Sequence, residues 1–327
     1  MPRFMWKNEF TDGLEKSTLA RPLFDKALSI KRQHLPKKIY KYRRDCPNHR
    51  DNLEGNTVWL SSPETYNDPY DCWLTLPDGL LRAIIERRVI DAIIKAYELQ
   101  NCVLQNDISA DDLESARRSR EPLKSFISLI PDNIGGVPKR NGESYSQRVE
   151  VMAEGVASAL QGWRRTAKLC SFSELNNSML MWSHYSEDHK GFCVEYDLEA
   201  LDEQHSFRRS LFPIIYSQRL YDLTPFAEKL VAKERAEFTP LLPMLAALHK
   251  FEGWQYEREW RIVLEDESEI NGLSHPAPIP SRIFLGTRCE VSKSKDLLAI
   301  CKRKSIAAFK MRLANDKFEL LSEPFVA

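Results

Sequence analysis

Three separated stretches of this chain concentrate side chains able to bind anions, stack on rings or stabilise a developing charge. The first is Tyr40-Lys41-Tyr42-Arg43, followed after a gap by Tyr66-Asn67-Asp68-Pro69-Tyr70-Asp71. On a strand, successive side chains alternate, so Lys41 and Arg43 point one way and Tyr40 and Tyr42 the other. The planar fork of Arg43 suits a phosphate or a ribose. A charged edge strand that merely keeps the sheet soluble is the plainer alternative. In the loop, Asp68 and Asp71 serve equally well as caps for nearby backbone N–H groups.

The second stretch runs Cys170-Ser171-Phe172-Ser173-Glu174, Asn176-Asn177, Met181-Trp182-Ser183-His184-Tyr185 and His189-Lys190-Gly191-Phe192-Cys193. His184 and His189 are five apart and do not share a helix face as zinc-binding His-x-x-x-His pairs do, so no metal is expected. A serine hydrolase would need a G-x-S-x-G elbow, which the chain lacks. Trp182 and Tyr185 are either ring-stacking groups or ordinary core aromatics. The third stretch is Trp254 to Val263. Read as a strand, it puts Glu257, Glu259 and Arg261 on one face and Tyr256, Arg258, Trp260 and Ile262 on the other. Paired carboxylates held this way suit an oxocarbenium-like centre at a sugar. A solvent-facing polar strand has the same pattern.

The elements that must position these groups are legible in outline. Residues 1–36 read as an irregular start followed by a helix from about Pro22. Strands are expected at Ile39–Arg43 and Val58–Ser61, joined by a hairpin-like link through Glu54-Gly55-Asn56. From Gly79 to Ala167 the periodicity is helical, with Leu80, Ile84, Ile85 and Val89 in register and Ser109 as an N-cap. Gly135-Gly136 and Pro138 interrupt it before a last helix over 146–165. This 79–167 block is expected to be a helical insertion or lid. Strands then follow at 168–173, 191–197, 212–217 and 254–264. A short helix is expected at Met179–Tyr185, helices at 225–251 and 292–304, and a closing hairpin over 307–321. Strand groups flanking a helical block indicate an α+β fold: a single domain over 1–327, with strands at 39–61 and 168–321.

At 327 residues and 43% hydrophobic content, the chain can bury a large core. With 47 basic and 47 acidic residues, it is not a general coat for nucleic acid or anionic membrane. Local charge differs: the segment Lys31–Arg44 is half basic and is a candidate contact for a nucleic-acid or protein partner. Seven scattered cysteines without a C-x-x-C pair indicate reduced thiols, and Cys170 and Cys193 read as small core residues. No apolar run approaches a membrane span and no signal-peptide core is present, so a cytoplasmic location is expected.

Taken together, Tyr40-Lys41-Tyr42-Arg43, Asn67-Asp68-Pro69-Tyr70-Asp71, Cys170-x-Phe172-Ser173-Glu174, Met181 to Tyr185, His189-x-Gly191-Phe192 and Tyr256-Glu257-Arg258-Glu259-Trp260-Arg261 resemble an uncharacterised bacterial family that shares this ordered motif set. More distantly, the chain resembles ADP-ribosyltransferases, whose mixed core carries an Arg or His on an early strand, a Ser-x-Ser or aromatic element on a middle strand and a Glu-x-Glu on a later one. The matching positions are Arg43, Ser171 with Ser173, and Glu257 with Glu259. The resemblance implies a split mixed sheet and an enzyme that cleaves the nicotinamide–ribose bond of NAD. ADP-ribose would pass to nucleic acid, protein or water, in the setting of a bacterial toxin or anti-phage effector. It implies Glu259, Glu257 and Ser173 as catalytic groups, with Arg43, Tyr42, Ser171, Trp182, His184 and Tyr185 holding NAD. Two alternatives remain open: a non-catalytic nucleotide-sensing module of a defence system, and a metal-dependent nuclease using Asp68, Asp71 and Glu259.

Overall fold

In the computed structural model, which describes residues 5–16, 21–73, 79–99, 108–130, 142–224, 242–266, 268 and 271–325, a mixed sheet is flanked by helices. The fold is α+β. The chain opens with α1 (Met5–Glu15) and α2 (Arg21–Gln33). The first corrects the expected irregular start: Phe10 and Leu14 are buried one helical turn apart, and Lys7 and Thr11 are buried with them. Strand β1 (Lys38–Arg43) is followed by α3 (Pro47–Glu54) and β2 (Thr57–Ser61). The hairpin expected between the two strands does not form. Pro47 starts a helix there, β1 pairs with β3 and β4, and β2 pairs with β3 and β9.

The helical block comprises α4 (Leu80–Leu99), α5 (Ala110–Arg118), α6 (Pro122–Leu129) and α7 (Gly142–Thr166). Ser109 caps α5 as expected, its Oγ accepting from Asp112 N–H at 3.1 Å. Ile84, Ile85, Ile93, Phe126 and Val149 form a core of their own. Gly135, Gly136 and Pro138 lie outside the described residues.

Beyond the block come β3 (Ala167–Ser173), α8 (Met179–Tyr185), β4 (Phe192–Asp197) and α9 (Ser206–Ser210). The single strand expected at 212–217 is two, β5 (Leu211–Pro213) beside β8 and β6 (Ile215–Ser217) beside β7. Of the expected 225–251 helices, 225–241 lies outside the described residues. The remainder is α10 (Leu242–Leu248) and then strand β7 (His249–Phe251). The long strand expected from Trp254 is also shorter. Residues Glu252–Glu257 form a 3₁₀ turn, Arg258 is left-handed (φ 45°), and β8 starts at Glu259 and ends at Glu265. The chain closes with β9 (Gly272–Pro276), β10 (Arg282–Leu285), α11 (Lys295–Arg303), β11 (Ala307–Leu313) and β12 (Leu320–Pro324).

The sheet order is β12-β11-β10-β4-β1-β3-β2-β9, with β8 and β5 beyond β3. Every pairing in it is antiparallel except β10 with β11. Its centre is split. β8 pairs with β3 at seven consecutive positions, which occupies one edge. The other edge is shared: β1 meets it at Ser173 and β2 at Leu169. Four residues of strand, ~13 Å, separate these two points, and β1 and β2 diverge between them. The main core lies beside the split, where Ile39, Phe172, Phe192, Trp260 and Ile283 pack together. No described helix is long and apolar enough to cross a membrane.

Candidate functional site

The split in the sheet is the candidate site. A cavity of about 400 Å³ opens there, lined by Lys41 and Arg43 of β1, Ser171 and Ser173 of β3, His184 and Tyr185 of α8, and Lys250, Glu257 and Glu259. All three sequence stretches therefore meet, and such a volume suits a small-molecule site. Across the split, Lys41 Nζ donates to the Ser171 carbonyl at 2.5 Å. Burial pushes the Lys41 ammonium down to about 8. None of the described residues of the 79–167 block lines this cavity.

Beneath the cavity lies a buried network of five ionisable groups. The Arg261 side chain is fully buried and donates through Nη1 (2.7 Å) and Nη2 (2.6 Å) to the two oxygens of Asp71, through Nε (2.5 Å) and Nη2 (3.2 Å) to Glu259, and to Ala247 O. Lys250 Nζ donates to Glu257 Oε2 at 2.6 Å and to Glu259 Oε2 at 2.9 Å. The Tyr185 hydroxyl donates to Glu257 Oε1 at 2.6 Å. The left-handed Arg258 makes this possible, because the kink turns Glu257 out of β8 and lets both glutamates flank one ammonium.

The two carboxylates are not equivalent. Burial alone would raise the Glu259 pKa, but Arg261 and Lys250 outweigh it and hold the group far below the usual carboxylate range. Burial and the neighbouring Glu259 charge push Glu257 upward. Three carboxylates (Asp71, Glu257, Glu259) face two cations (Lys250, Arg261), and the surplus negative charge sits where a cavity ligand would meet it.

Several expected roles change. The Trp182 ring is fully buried, stacks edge-on against Tyr42, and donates Nε1–H to Asn176 O at 2.7 Å. It is a core residue and does not line the cavity. Tyr42 does line it, but its hydroxyl donates to Leu175 O. Ser173 Oγ donates to Glu257 O at 2.6 Å and accepts from Leu175 N–H, so the hydroxyl fastens the turn that presents Glu257. Ser171 and Arg43 line the wall, and His184 Nδ1 lies 3.1 Å from the Tyr256 hydroxyl. For the nuclease alternative, the oxygens of Asp71 and Glu259 are already engaged by Arg261, a donor set unsuited to a cation. The basic Lys31–Arg44 segment is not one patch. Lys31 is buried and donates to Arg209 O, Lys37 and Lys38 pair with Glu199 and Glu195, and Lys41 faces the split. Lys250 escaped the sequence reading because nothing in a helix-like apolar run singles it out. Asp71 and Arg261 were noticed without their mutual pairing, since 190 residues separate them.

Gly191 owes its place to backbone crowding: a Cβ there would fall 2.1 Å from Arg43 O. Three successive left-handed residues, Glu187, Asp188 and His189, lead into it.

Residues 181–262 match a family described as a protein of unknown function (DUF2971). The matched segment includes α8 from Met181 onward, β4, Lys250, Glu257, Glu259 and Arg261. No curated protein and no solved structure matches the chain.

Proposed function

We propose that the cleft binds NAD and cleaves its nicotinamide–ribose bond, with Glu257 as the working carboxylate. One observation carries this reading: the cavity floor holds three carboxylates against two cations, with Glu259 bound by both Arg261 and Lys250 and Glu257 by Lys250 alone. As the C1′–N bond breaks, its electron pair neutralises the nicotinamide ring and positive charge moves onto the ribose. A carboxylate fixed by hydrogen bonds in a buried position stabilises that charge most in the transition state. The nucleophile then bonds to C1′, and its proton passes to Glu257 or to solvent. Tyr185 and Lys250 hold the carboxylate in place, and Arg43 supplies a fork for the phosphates. Compared with the Glu-x-Glu analogy taken alone, the roles are exchanged: both glutamates are buried and line the cavity, Glu259 is the anchor held by two cations, and Glu257 is the working group.

A second reading, a nucleotide-binding module without turnover, is favoured by the extent to which Lys250 also restrains Glu257. Incubation of the purified protein with NAD, following free nicotinamide by chromatography, separates the two. Release supports cleavage, whereas saturable NAD binding without release supports the module.

A further inference from the structure

The loop that carries Asn67 to Trp73 has a cavity on either side. Beyond the cleft, a second cavity of about 320 Å³ shares Asn67 and Lys250 with the first. Its lining is unusual for a monomer surface. Tyr70 is 61% exposed and Phe251 56%, and Trp73 and Leu220 are also exposed there. Tyr70 and Trp73 meet edge to face at 6.3 Å, and Trp254 holds the Lys250 ammonium 5.1 Å from its ring centroid. Large apolar groups exposed together around one concavity mark a binding surface.

The chemistry of the lining selects the ligand. Several aromatic faces around a shallow cavity favour a flat ring, which stacks without regard to its substituents. Asn67 contributes an amide able to meet the edge of a base, Gln218 donates Nε2–H to Glu252 Oε1 at 2.7 Å and presents its amide oxygen, and Arg219 is exposed at the rim, where a phosphate would lie. A cationic peptide side chain finds little here. Among the described residues, the one carboxylate in the lining is Asp68, which is buried and accepts from Tyr70 N–H at 2.9 Å. The shared wall gives direction: a ring seated in the second cavity lies across Lys250 from Glu257.

We propose that the second cavity seats an unpaired base of a nucleic-acid strand beside the cleft. That the strand serves as acceptor rests on the reading of the cleft given above; that it binds does not.

The test is binding of a short fluorescein-labelled single strand, followed by anisotropy without NAD. The same sequence as a duplex, an adenine mononucleotide and a tyrosine-rich peptide serve as competitors. Trp73→Ala and Phe251→Ala alter exposed side chains, and circular dichroism verifies their folding. Phe318→Ala, at a 96% exposed position outside the cavity, is the control. The expected result is a preference for the single strand, weakened about tenfold by each cavity variant and unchanged in the control. Absence of binding, equal binding by the cavity variants, preference for duplex, or displacement by mononucleotide or peptide as effective as by the strand would each overturn the proposal. Strand binding in a protein that never releases nicotinamide would count against the cleft reading alone. Nicotinamide release without strand binding would count against this one alone.

Discussion

Replacing each glutamate by glutamine should separate an anchor from a working group. Each carboxyl oxygen of Glu259 accepts from a cationic donor, Arg261 or Lys250, and the Ser171 side chain also hydrogen-bonds the group. In Glu259→Gln the new amide must turn its NH₂ toward one of these cations, so donor faces donor. Removing one partner from a buried ionic network costs about 3–5 kcal/mol. Glu257 differs because Oε1 accepts from a hydroxyl, which can reverse and accept from an amide instead, while Oε2 still receives Lys250. Glu257→Gln also leaves two carboxylates facing two cations. Its cost should stay below about 1 kcal/mol. The pH dependence carries opposite signs. Glu259, depressed in the folded state, contributes fully above its unfolded value of 4.5, and that contribution is lost only as pH falls well below it. Glu257, raised in the folded state, favours folding at low pH and loses that contribution as pH rises through its folded pKa. Thermal unfolding at neutral pH should show Tm lowered by about 4–7 °C in Glu259→Gln and barely shifted in Glu257→Gln. Equal stability of the two variants, or the reverse order, would refute the assignment of roles.

Gly191→Ala should lower stability by about 1–3 kcal/mol in urea unfolding, since its methyl would overlap Arg43 O. Ser109→Ala should cost the α5 cap about 1 kcal/mol, read as faster amide exchange in that helix. Arg43→Ala should weaken NAD binding by roughly tenfold or more in calorimetry while leaving Tm near that of the parent. Burial holds folded Lys31 down to about 7, against 10.5 in the unfolded chain. The unfolded state therefore binds more protons across that window, and stability should climb with rising pH. Lys31→Met should flatten the climb.

What the sequence discloses follows how local its causes are. The helix Met179–Tyr185 and strand β3 were legible because their apolar periodicity and flanking turns are complete within a few residues. The meeting of the three polar stretches was legible because each combines charge with Tyr or Trp, a mixture suited to a cleft wall. The break before Glu259 was not, since its left-handed residue is Arg258 rather than glycine and the period of two runs on undisturbed. The burial of Lys250 and the Asp71–Arg261 pair arise from packing between distant segments, which no local pattern records. Trp182 shows the same limit: its composition suits a ring-binding wall equally well, and only its neighbours Tyr42 and Asn176 make it core.

The most direct measurement is the rate of nicotinamide release from NAD by the parent protein and by Glu257→Gln, compared at a temperature where both are folded. The account predicts release by the parent and a loss on the order of a hundredfold or more in the variant, because an amide cannot stabilise the ribosyl charge. Equal rates in the two proteins, or no release by a parent that binds NAD, would contradict it.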